Sequence, residues 1–141
     1  MALATHPQNH RRILVVDDHI ELAENIAEIL DAAGYATAVA ASAEAALARM
    51  PSDSFDALVT DYRLPGLSGA DLLSALTRQG IALPAVVMSA YTDPDTIATA
   101  RSAGAHAVLA KPIDIEGLLR ALSEILRAGA DAVGVAAAPR D

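Results

Sequence analysis

Five short apolar runs alternate with segments of helical periodicity, and four of the five are closed by a residue capable of polar chemistry. The runs are Ile13-Leu14-Val15-Val16 before Asp17-Asp18, Ala36-Thr37-Ala38-Val39-Ala40, Ala57-Leu58-Val59-Thr60 before Asp61, Ala85-Val86-Val87-Met88 before Ser89, and Ala107-Val108-Leu109-Ala110 before Lys111. Several are apolar throughout, the pattern of central strands in a parallel sheet covered on both faces.

The intervening segments read as helices with ordinary start and stop signals. From Ile20 to Ala33, Leu22, Ile26, Ile29, Leu30 and Ala33 recur at three- and four-residue spacing, and Gly34 stops the run. Ser42 caps a helix to about Met50, with Pro51 after it. Ser68 and Asp71 form a capping-box pattern for a helix to about Gln79. Asp93-Pro94 supplies a cap and a first-turn proline for a helix ending near Gly104, and Asp114 opens a last helix bearing Leu118, Leu119, Leu122, Ile125 and Leu126. Five βα units in series define an α/β domain, with connections too short for an inserted domain.

Length and composition set the remaining bounds. At 141 residues, 53% of them apolar, the chain makes one domain with a real core. We expect a loose N-terminus over residues 1–10, the folded domain over 11–128, and a flexible tail or linker over 129–141. A net charge of -8 argues against a nucleic-acid surface, which needs a basic stripe. The absence of cysteine removes disulfides, thiolate metal sites and cysteine nucleophiles together. No apolar run is long enough for a membrane span, and the first residues lack the apolar stretch of a signal peptide, so the expected location is cytoplasmic. Lys111 is the only lysine beside nine arginines.

In an open parallel sheet the carboxyl ends of the strands share one edge, and ligands bind where the strand order reverses. An order of 2-1-3-4-5 sets the first and third strands side by side at that reversal. Asp17, Asp18 and Asp61 then meet across a crevice flanked by Ser89 and Lys111. Three converging carboxylates repel, and a hard divalent cation with oxygen ligands, Mg²⁺ where phosphate is involved, resolves the repulsion. A carboxylate is also a nucleophile able to form an aspartyl phosphate. Phosphoryl transfer then asks mainly for neutralisation of the moving oxygens, which Mg²⁺, the Lys111 ammonium and the Ser89 hydroxyl supply.

Each residue has a plainer reading. Asp18 with Glu21 can cap the first helix, Asp61 can be a turn aspartate before Leu64-Pro65-Gly66, and Lys111 can be a solvated lysine. Ser89 alone carries no information; the joint placement at strand ends favours the site. His6, His10, His19 and His106 show no metal-ligand spacing, so none is assigned a ligand role.

The motifs Ile13-Leu14-Val15-Val16-Asp17-Asp18, Thr60-Asp61-Tyr62-Arg63-Leu64-Pro65-Gly66-Leu67-Ser68-Gly69, Val86-Val87-Met88-Ser89-Ala90 and Ala110-Lys111-Pro112 resemble the receiver domains of two-component response regulators, over about residues 11–128. The resemblance implies a flavodoxin-like, doubly wound (βα)5 fold with sheet order 2-1-3-4-5. It implies Asp61 as phosphoacceptor, charged by a phosphohistidine on a histidine kinase or phosphotransfer protein. Asp18, Asp61 and the Arg63 backbone carbonyl would ligate Mg²⁺, with Asp17 acting largely through water. Ser89 would hydrogen-bond the phosphoryl group, Lys111 would pair with it, and the Lys111-Pro112 bond would be cis. Arg63 and Tyr91 would border the phosphoryl group and influence its lifetime.

One position departs from the family pattern. Three residues before the lysine, where such domains usually carry a tyrosine or phenylalanine that swings inward on activation, this chain has Val108. Valine is stiff at χ1 and too short to make that swing.

The leading expectation is therefore a phosphorylation-dependent switch, itself no enzyme on external substrates, signalling through about residues 93–127 as a monomer or weak homodimer. The 14 residues after 127 are too few for a DNA-binding domain, so a single-domain regulator or the receiver piece of a hybrid kinase is expected. A receiver-like binding module with weakened switching is the alternative that Val108 supports. An aspartyl-phosphate phosphatase of the haloacid-dehalogenase type needs a second acid two residues after the nucleophile, where this chain has Arg63. No Gly-x-Gly-x-x-Gly follows the first strand, which disfavours dinucleotide binding.

Overall fold

The five apolar runs form parallel strands β1 (Arg12–Val16), β2 (Ala36–Ala40), β3 (Ala57–Asp61), β4 (Ala85–Ser89) and β5 (Ala107–Ala110). Helices α1 (Ile20–Ala32), α2 (Ala43–Arg49), α3 (Gly69–Arg78), α4 (Pro94–Ala103) and α5 (Ile115–Ala137) connect or follow them. This computed structural model describes residues 11–50 and 54–137, with 128–137 described by backbone alone. The expectation of a loose segment over 1–10 and the proline at position 51 lie outside the described residues.

The sheet order is β2-β1-β3-β4-β5, so β1 and β3 are neighbours at the point of reversal. Alternate residues of each strand feed two separate cores, because successive side chains on a strand point to opposite faces. On one face Ile13, Val15, Val59, Val86 and Met88 pack with Ile26 and Leu30 of α1 and with Leu118 and Leu122 of α5. On the other, Leu14, Val16, Leu58 and Val87 pack with Ala46 of α2, Leu72 and Leu76 of α3, and Ala100 of α4. β3 and β4 are buried at every position, which is why their sequences do not alternate. Each fully buried leucine or valine contributes about 1.5–3 kcal/mol, which holds the sheet rigid beneath its polar edge.

Local signals set most helix starts. The Ser42 side chain accepts from the Ala45 N–H at 3.0 Å. Ser68 and Asp71 form a reciprocal capping box, each side chain accepting from the other's backbone N–H at 3.0 Å. Asp93 caps α4 with Pro94 in its first turn. The Lys111–Pro112 bond is cis.

One plainer reading is excluded. The N-cap of α1 is His19, whose side chain makes no capping bond, so Asp18 does not cap that helix. The acidic residue serving the turn is Asp17, whose Oδ1 accepts from the His19 N–H at 2.9 Å. The last helix runs to Ala137. Its end is rich in alanine, the residue that costs least in a helix. Among the described residues no helix is long and apolar enough to cross a membrane.

Candidate functional site

The carboxyl ends of β1, β3, β4 and β5 bring the sequence-marked residues to one edge. In the β1–β3 register Val16 faces Thr60, so Asp17 and Asp61 follow side by side. Asp61 in turn faces Met88, and Ser89 faces Ala110, with the Lys111 N–H donating to the Ser89 carbonyl at 2.9 Å. Strand pairing therefore fixes where the Asp17, Asp61, Ser89 and Lys111 backbones stand before any side-chain contact is made.

The side chains then split into two groups. Lys111 Nζ lies 3.2 Å from Asp61 Oδ2 and 3.5 Å from Asp17 Oδ2, and its side chain is only 23% exposed. The plain reading of Lys111 as a solvated lysine is thereby excluded. Ser89 is buried and engaged outside this cluster: its Oγ donates to the Tyr91 carbonyl at 2.7 Å and accepts from the Tyr91 N–H at 2.9 Å. Arg63 and Tyr91, expected at the rim, are in contact, with the guanidinium carbon 4.7 Å from the ring centroid.

Charge within the cluster is not balanced. One oxygen each from Asp17, Asp18 and Asp61 lies within 4.8 Å of the other two, and Asp17 and Asp61 are buried while Asp18 is exposed. Burial pushes the Asp61 carboxyl above its ordinary range, the Asp17 carboxylate pushes it further, and Lys111 pulls it part of the way back. Asp17 Oδ2 is buried without a hydrogen bond, Lys111 being close enough to attract it but not to donate to it. An orphaned buried carboxylate oxygen beside two more carboxylates is a donor set suited to a hard cation such as Mg²⁺. An all-oxygen set also disfavours metals that prefer nitrogen or sulfur ligands.

The backbone under Asp61 is tightly enclosed. A Cβ at Gly69, the first residue of α3, would collide with the Asp61 carbonyl oxygen. The Gly69 N–H donates to the Tyr62 carbonyl at 2.8 Å, and the Tyr62 N–H to the Met88 carbonyl at 2.8 Å. Thr60, also buried, donates its hydroxyl to the Asp61 carbonyl at 3.0 Å. Sequence reasoning missed both Gly69 and Thr60 as supports; a glycine at the first position of a capped helix was the one available signal. His106, unassigned from sequence, accepts at Nδ1 from the Ala85 N–H at 3.3 Å, a structural contact at the far edge of the sheet.

A second cavity of about 780 Å³ lies at that far edge, walled largely by aliphatic side chains such as Leu76, Ile81 and Leu83. It holds none of the strand-end carboxylates.

Comparison with known proteins agrees with this geometry. Residues 13–123 match the family model of the response regulator receiver domain. A response regulator receiver protein of Anaeromyxobacter sp. is 41% identical over 109 residues, covering 77% of this chain and 46% of that protein. The sensory/regulatory protein RpfC of Xanthomonas campestris is 35% identical over 118 residues, covering 81% of this chain and 16% of that protein. The chain thus spans less than half the length of these curated relatives. The crystal structure of a CheY-like receiver domain protein from Methanospirillum hungatei superposes with a TM-score of 0.82 at 27% identity, covering 87% of this chain and 98% of that one. Strand order, acidic edge and family match converge on one conclusion: the chain belongs to the response regulator receiver domains, the phosphorylation-activated switches of two-component signalling.

Proposed function

We propose that Asp61 is the phosphoacceptor of this switch. The observation that carries the reading is the buried Asp61 carboxylate paired with Lys111 and set against Asp17 and Asp18 at the edge of a rigid sheet. An ionised Asp61 oxygen attacks the phosphorus of a phosphohistidine on a histidine kinase or phosphotransfer protein. The P–O bond to Asp61 forms as the P–N bond breaks, and the imidazole leaves with the bonding pair. Lys111 acts twice: its ammonium keeps Asp61 ionised against burial, and it then pairs with the phosphoryl oxygens. Ser89 turns its hydroxyl from Tyr91 to a phosphoryl oxygen.

Asp18, Asp61 and the Arg63 backbone carbonyl would hold Mg²⁺, with Asp17 acting through water. Bound Mg²⁺ supplies positive charge that offsets the clustered carboxylates and the phosphoryl oxygens. The output passes through protein contacts over about 93–127, by a cytoplasmic monomer or weak homodimer that binds no nucleic acid itself.

The test is incubation with Mg²⁺ and acetyl phosphate, followed by intact mass. Wild type gains one acid-stable, base-labile phosphoryl group and Asp61→Asn gains none. A wild type left unmodified by both small donors and a cognate kinase overturns the proposal. A binding module with weakened switching is the second reading, favoured by the half-buried Val108 in place of an aromatic ring. It predicts modification without change in the α4–β5–α5 face. Release of many phosphates per protein from an external substrate would instead mark a phosphatase.

A further inference from the structure

Ser89 has a single hydroxyl proton, and in this structure that proton is already in use. Its Oγ closes a two-sided bond with the Tyr91 main chain, donating to the carbonyl at 2.7 Å and accepting from the N–H at 2.9 Å. The Tyr91 ring, 52% exposed, lies against the Arg63 guanidinium at 4.7 Å. The loop after β3 and the loop after β4 are thus tied by a cation–ring contact whose ring partner is held in place through Ser89.

A hydroxyl donates one hydrogen bond at a time. When Ser89 donates to a phosphoryl oxygen on Asp61, the Tyr91 carbonyl loses its donor and the Tyr91 N–H loses the alignment of its acceptor. The ring is borne by the same residue, and a cation–ring contact holds only while the charge stays within about 6 Å of the centroid. Two residues further on, Asp93 caps α4, accepting from the Thr96 N–H at 3.2 Å and from the Thr96 hydroxyl at 2.9 Å. A displaced Tyr91 therefore transmits directly to the first turn of α4. Val108, a stiff β-branched residue half-buried against the second core, has no comparable ring to move.

We propose that the Arg63–Tyr91 stack is the readout element of this chain: phosphorylation takes the Ser89 proton from the Tyr91 carbonyl, the stack opens, and the first turn of α4 shifts. The inference rests on the function proposed above and assigns the part of the switch that an aromatic at position 108 would otherwise play.

The test uses the full chain with Mg²⁺, unmodified and after acetyl phosphate or beryllofluoride. The Tyr91 ring signals are assigned against Tyr35 and Tyr62 with a Tyr91→Leu variant. On adduct formation the Tyr91 ring and Arg63 Nε–H signals move together toward unstacked values, and the amides of residues 94–97 shift with them. In Ser89→Ala the two signals sit near the unstacked position before any adduct forms. An adduct with unmoved Tyr91 and Arg63 signals overturns this inference and leaves phosphorylation standing. A stacked Tyr91 in unmodified Ser89→Ala overturns it equally. No adduct at all, by intact mass, overturns the function and this inference together. Should Ser89→Ala fail to fold, the wild-type comparison decides alone.

Discussion

Lys111 Nζ sits 3.2 Å from Asp61 Oδ2 and 3.5 Å from Asp17 Oδ2, so one ammonium is shared between two buried carboxylates from different strands. That sharing leaves the acidic cluster with more negative than positive charge, and most of the behaviour expected of the site follows from it.

Lys111→Met should raise the Asp61 pKa further, because Lys111, more than the Arg63 backbone, lowers it against burial and Asp17. Phosphorylation by acetyl phosphate should slow as well, because the ammonium that would pair with the phosphoryl oxygens is gone. Titration of the Asp61 carboxyl carbon signal, in wild type and variant, reads the first effect directly. Lys111→Arg should not restore the wild-type rate, since a planar guanidinium does not fit where a compact ammonium bridges two carboxylates.

Asp61→Asn should stabilise the metal-free protein at neutral pH. The folded-state pKa of Asp61 is raised from 3.8, so the folded state holds the Asp61 proton more tightly than the unfolded chain does. The contribution is fully favourable below the unfolded value and is lost as pH rises through the folded value. The difference in Tm between Asp61→Asn and wild type, in EDTA, should therefore grow from acid to neutral pH. A difference that stays constant or shrinks over that range would contradict the assigned cause.

Mg²⁺ should stabilise the folded chain by mass action, about 2.7 kcal/mol at a concentration 100-fold above Kd. For a domain of this size that corresponds to a rise of roughly 5–10 °C in Tm. Asp18→Asn and Asp61→Asn should each lose most of the rise. Equal Mg²⁺ stabilisation in all three proteins would place the cation elsewhere.

Gly69→Ala should cost about 1–3 kcal/mol, the usual range for overpacking, because its Cβ meets the Asp61 carbonyl oxygen. It should also slow phosphorylation by displacing the backbone under the nucleophile. Ser68→Ala, which removes the adjacent cap at a cost of about 1 kcal/mol, provides the comparison. Only the glycine variant should change the rate by more than its stability loss explains.

Val108→Tyr should leave the phosphorylation-induced shifts of α4 largely as they are, if Tyr91 rather than position 108 carries the response. Amide spectra with and without beryllofluoride measure this.

Strands and most helix starts were legible in the sequence because their causes are local. A fully apolar run reports burial on both faces, and Ser42, Ser68 with Asp71, and Asp93 with Pro94 act within three residues of themselves. The strand-end residues were legible too, since in a parallel sheet every strand ends at the same edge. The start of α1 was less legible, because Asp18 fits a capping pattern whereas it is Asp17 that accepts from the His19 N–H, and His19 at the N-cap makes no side-chain bond.

Asp61 as the acid at the end of the third strand, with Lys111 at the end of the fifth, was determined by the sequence alone. The tertiary structure decided which side chains actually engage: Lys111 bridges Asp61 and Asp17, while Ser89 is drawn away to Tyr91. Those choices turn on loop conformation and on how one proton or one charge is divided among competing partners. Residues distant in the chain become rivals for the same hydrogen bond only once the sheet has brought them together.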